Sequence, residues 1–103
     1  MDALETKFHK AMLDIYVRVK KEIKYNPSRF IQLVNDRGGL AAAKQLIRVD
    51  GGTSGFTTLW EHNRLDLSVE AHVIKPEYRE LFTDEEIEIC RNRLTEYKYS
   101  FDE

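Results

Sequence analysis

One cysteine, two prolines and one tryptophan are spread over 103 residues. Cys90 alone cannot close an internal disulfide, so nothing points to an oxidising compartment. No apolar run approaches the roughly 20 residues of a membrane-spanning helix. The opening MDALETKFHK mixes charges and lacks the apolar core of a secretory signal, so the expectation is a cytoplasmic protein with no membrane partner. Metal-ligand spacing is missing as well. His9, His62 and His72 fall on different elements, and there is no H-x-x-x-H, C-x-x-C or calcium-loop pattern. A phosphate-cradling loop is also incomplete. Glycines stand at 51, 52 and 55, but Phe56 follows and no lysine appears before Lys75. No catalytic, cofactor-binding or metal-binding residue is therefore assigned.

What is present is charge and helical periodicity. The chain is 42% hydrophobic and 33% charged, the balance of a water-exposed globular domain. No linker divides it, so residues 1–103 are expected to form one domain. The net charge of −2 hides an asymmetry. Residues 1–50 hold 10 Lys and Arg against 6 Asp and Glu, a net of +4, while residues 51–103 hold 6 against 12, a net of −6. Either the halves pair inside the fold, or the basic half meets an anionic partner.

The periodicity predicts an all-α bundle of five or six helices with a long first helix. That helix spans Ala3 to Ile23, with Leu4, Phe8, Ala11, Met12, Ile15, Val19 and Ile23 on one arc. Leu13 and Val17 fall outside the arc. Asn26 is placed as the cap of a second helix with Pro27 at its first position. Phe30, Ile31, Leu33 and Val34 follow, then Arg37 and a Gly38-Gly39 stop. The third helix is GLAAAKQLIRV. Ser54 is expected to cap a short fourth helix, and Asp66 a fifth carrying Leu67, Val69, Val73 and Ile74. Pro76 opens a short turn. Thr83 with Glu86 forms a capping box for the last helix, whose face is Ile87, Cys90, Leu94 and Tyr97.

Three groups of residues are candidates for a role. Trp60 is expected in the core, and Glu61, Arg64, Asp66 and Glu70 form a polar cluster beside it. Arg64 is expected to pair with Glu61 or Glu70 as an internal strut; the alternative is a small enzyme site around Glu61, Asp66 and Glu70. Leu13 and Val17 are a candidate contact for a protein partner or a second copy. The third group is cationic: Arg18, Lys20, Lys21 and Lys24, then Arg29, Arg37, Lys44 and Arg48. Helix two, the glycine turn and helix three have the outline of a helix-turn-helix, so DNA or RNA contact is one reading. The third helix offers only Lys44, Gln45 and Arg48 on its outer face, which suits backbone contact more than base reading.

Three blocks, YNPSRFIQLVNDRGGLAAAKQLI, GFTTLWEHNRLDLSVEA and LFTDEEIEICRNRLTEY, fall within the stretch from Tyr25 to Tyr99, about three quarters of the chain. Together they resemble a family of small uncharacterised bacterial helical domains, found alone or appended to nuclease-type and defence-related proteins. The resemblance implies a bacterial, cytoplasmic helical module with 25–99 as its core and 1–24 outside it. It carries no catalytic residue to transfer. The leading expectation is a non-catalytic module that binds protein or self-associates.

Overall fold

The computed structural model describes residues 2–100. Six α-helices are present among them: α1 (Ala3–Arg18), α2 (Ser28–Arg37), α3 (Gly39–Leu46), α4 (Ser54–Glu61), α5 (Val69–Val73) and α6 (Asp84–Glu96). A π-turn (Val19–Ile23) prolongs α1, and two 3-10 segments, Leu65–Leu67 and Pro76–Leu81, flank α5. The described residues contain no strand, and the all-α expectation is met.

The first helix starts where Asp2 accepts the Glu5 amide at 2.8 Å. Its inward face is Phe8, Met12, Ile15 and Val19, spaced four, three and four residues apart and all buried. The helix stops at Lys24, which takes a left-handed conformation at φ 64°. Leu13, expected off the apolar arc, packs against the core instead, and only Val17 stays exposed, at 57%. On a wheel of about 100° per residue Leu13 lies about 40° nearer the buried stripe than Val17 does, so packed neighbours cover part of it and leave Val17 outside.

Two caps sit one residue from their expected places. Pro27, not Asn26, holds the cap position of α2; the helix begins at Ser28, whose amide turns back to the Asn26 carbonyl at 2.9 Å. Thr53, not Ser54, caps α4 and accepts the Phe56 amide at 3.1 Å. A third cap moves further. Asp66 lies within the Leu65–Leu67 segment, and Ser68 caps α5 by accepting the Ala71 amide at 3.1 Å while donating to the Leu65 carbonyl. The Thr83–Glu86 capping box forms as expected.

α1 packs across both α2 and α3. Gly39 is why α1 and α3 approach so closely. A Cβ at that position would lie 2.7 Å from the His9 Cα, a backbone atom that cannot swing aside. The Gly39 amide instead donates to His9 Nδ1 at 2.8 Å, so a side chain of α1 caps α3 and the His9 proton sits on Nε2. Ala42 and Ala43 are wholly buried in the same seam. On the other side α5 packs against α6, and α3 against α5. Phe8 joins the halves, meeting Tyr78 edge-on at 5.0 Å and Phe82 at 5.3 Å. Burying one such side chain contributes about 1.5–3 kcal/mol, whereas an exposed ion pair contributes under about 1 kcal/mol. Apolar contact, rather than the many surface charges, therefore holds the domain closed.

Candidate functional site

A groove of about 670 Å³ opens between the end of α1, α2, the end of α3 and the start of α4. Ile15 and Val19 form its floor, Phe30 and Leu33 one wall, and Leu46 and Phe56 the other. This volume lies within the range of sites that hold a drug-sized ligand or a few anchoring side chains. Sequence reasoning gave the apolar residues of α2 no part in a site. Of its four large apolar side chains only Val34 is fully buried. No local signal marked Phe30 and Leu33, because the facing side chains, Leu46 and Phe56, come from elements distant in sequence.

Two charged residues line the groove, Arg29 at the rim and Glu70 in the wall. Glu70 comes from α5 and is 96% buried, its exposure being 4%. Burial pushes its carboxyl above the usual range, against the pull of a hydrogen bond from Arg93. Arg93 Nη1 donates to Glu70 Oε2 at 2.8 Å and to the Ile47 carbonyl at 3.0 Å, and Nη2 donates to the Val49 carbonyl at 2.9 Å. These bonds tie the chain just past α3 to α5 and α6; α3 itself ends at Leu46, short of the expected GLAAAKQLIRV stretch. Arg93 is the residue that sequence reasoning missed. It lies 23 positions from Glu70, and no local spacing connects the two.

The polar cluster separates into two places. Arg64 pairs with neither Glu61 nor Glu70. It forks onto Asp66 at 3.0 and 3.2 Å and reaches Glu22 of the π-turn at 2.7 Å. Asn63, left-handed at φ 58°, ends α4 and turns Arg64 away from Glu61. Glu22 is held at about 2 by the Arg18 and Arg64 guanidiniums. Glu61 is exposed. Glu61, Asp66 and Glu70 therefore do not converge on one cleft. Trp60 is 48% exposed rather than in the core, because Phe56 and Leu59 take the centre of the α4 stripe and leave Trp60 at its edge. There its ring meets Tyr97 edge-on at 5.4 Å, and Tyr97 meets Phe56 at 4.9 Å.

The basic face is also divided. Lys44 Nζ donates to Glu86 Oε1 at 2.7 Å, and Arg48 reaches Glu85 at 3.2 Å, so the cations of α3 and of the turn after it meet the acidic start of α6. Arg18 pairs with Glu22 at 2.9 Å, and Lys20 lies over the Tyr16 ring at 5.1 Å. Lys21, Lys24, Arg29 and Arg37 are exposed. Among them Arg29 lines the groove, and Lys24 directly precedes Tyr25, a lining residue.

The remaining nucleophile and imidazoles are occupied or enclosed. Cys90 is wholly buried and its thiol is pushed up by burial. His62 Nδ1 donates to the Thr58 carbonyl, and His72 Nδ1 to the Ser68 carbonyl. Among the described residues no three of His, Cys, Asp and Glu come together as metal ligands, and no helix is long and apolar enough to cross a membrane. The chain matches no family model, no curated protein and no solved structure.

Proposed function

We propose that this protein is a non-catalytic interaction module whose groove receives an apolar helical segment of another protein. The groove itself carries the reading: six large apolar side chains from four elements face an open volume of about 670 Å³. An amphipathic helix presents its anchors at i, i+3 or i+4, and i+7, the pattern such a groove recognises. Twelve to fourteen residues would run about 18–21 Å, which suits a domain measuring 34 × 27 × 23 Å. The resemblance of residues 25–99 to bacterial helical domains, stand-alone or appended to larger proteins, agrees with a cytoplasmic module of this kind.

Gly55 offers a direct test. A Cβ there meets only Thr53 Oγ1, at an ordinary 3.6 Å, while the residue lines the groove. Gly55→Phe should fill the groove and leave the unfolding midpoint at or above that of the parent, since glycine is a poor helix former. A displayed library of random 16-residue peptides, panned against the full chain, should enrich helical apolar repeats. Peptides so selected should lose at least about tenfold in affinity for Gly55→Phe, a loss of about 1.4 kcal/mol. Equal binding to both proteins, or no enrichment, would remove the groove from the function.

A further inference from the structure

We infer that the segment taken by the groove is acidic as well as apolar, and that Arg29 is the residue that selects it. The inference rests on the groove being the binding site, and it concerns which partners fit. Glu70, the other charged residue of the lining, already meets the Arg93 guanidinium at 2.8 Å inside the fold. A ligand therefore meets a wall whose buried charges are matched, and a rim that carries an unmatched cation. Arg29 is exposed, and among the described residues it takes part in no ion pair. Arg18, Arg48, Arg64 and Arg93 each face a carboxylate instead.

Lys24 stands just before the Tyr25–Phe30 stretch that forms this end of the groove. α2 begins there without a side-chain cap, so the positive end of its dipole adds to the arginine charge. A basic partner would be repelled at this rim, and a neutral one would leave the guanidinium without a counter-charge. An acidic amphipathic helix satisfies both walls and rim. A charge at a rim acts mainly on association rate, salt dependence and choice of partner, and the apolar anchors supply most of the affinity.

The test uses three synthetic helical peptides that share one apolar repeat and differ in flanking charge: acidic, neutral and basic. They are titrated into the full chain, into Arg29→Glu and into Gly55→Phe. The acidic peptide should bind the parent about tenfold more tightly than the neutral one, with the gap closing as salt rises. Arg29→Glu should reverse that order while its unfolding midpoint stays unchanged. Equal binding of all three peptides to the parent, still blocked by Gly55→Phe, would overturn the acidic preference and leave the groove reading intact. Acidic binding that ignores Gly55→Phe would overturn both, because the charge would then act outside the groove. Sedimentation supplies another arm: a dimer of the parent that Gly55→Phe dissociates would make a second copy the occupant. A single-stranded oligonucleotide that binds through Arg29, where the acidic peptide does not, would make nucleic acid the partner.

Discussion

The two ends of α3 meet their neighbours in opposite ways. At the N-terminal end Gly39, Ala42 and Ala43 let α1 come so near that a single added carbon would strike backbone at 2.7 Å. At the C-terminal end Leu46 looks into an open groove of about 670 Å³. Both ends are apolar, so hydrophobicity alone does not separate core from site. Side-chain size and the available partner do. Small residues allow close approach, and large residues hold helices apart unless something interdigitates with them.

The Glu70–Arg93 strut beside the C-terminal end should show the largest effect. Glu70→Ala leaves the Arg93 guanidinium buried beside carbonyls with no counter-charge, which should cost about 3–5 kcal/mol in denaturant unfolding. Replacing both partners by apolar residues, Glu70→Leu with Arg93→Met, should recover most of that loss, because the desolvation of the pair disappears with it. A double variant as weak as the single one would mean that the Arg93 bonds to the Ile47 and Val49 carbonyls matter more than its charge.

The glycines test the closed and open regions against each other. Gly39→Ala should cost about 1–3 kcal/mol by overpacking the α1–α3 seam. The larger Gly55→Phe should cost nothing. If both change stability alike, the contrast between seam and groove is lost.

The smallest loss should come from acid. Burial lowers the His72 pKa, against the pull of its bond to the Ser68 carbonyl, and the charges acting on it are Lys75, Asp14 and Arg18. The unfolded imidazole takes up its proton near its ordinary value of about 6.5. The folded one does so only at lower pH. The unfolded state therefore binds more protons in this interval, and stability declines as pH falls below about 6.5. Glu70 shifts in the opposite sense, and its raised carboxyl works against the decline once the pH nears the carboxyl range. The slope of the unfolding midpoint between about pH 7 and 5.5 should flatten in His72→Gln. An unchanged slope would assign the decline to other groups.

Much of the fold was legible because its signals are local. The Thr83–Glu86 box, the Phe8–Val19 stripe and the Gly38 stop each depend on residues within one or two helical turns. Cap positions slipped by one residue where adjacent candidates compete, as Asn26 does with Pro27 and Ser54 with Thr53. The site was much less legible. Arg64 has carboxylates on both sides in sequence, and its choice of Asp66 and Glu22 follows from the left-handed turn at Asn63. The pairing of Lys44 and Arg48 with the start of α6 likewise spans about 40 residues.

By itself the sequence determined that this chain is helical and roughly where the helices start and stop, since caps, glycine stops and a 3.6-residue period act over a few residues. Only the tertiary structure decided which apolar faces are filled and which cations keep their charge unmatched. Those outcomes depend on how closely distant helices approach, and at Gly39 a single missing methyl group sets that distance.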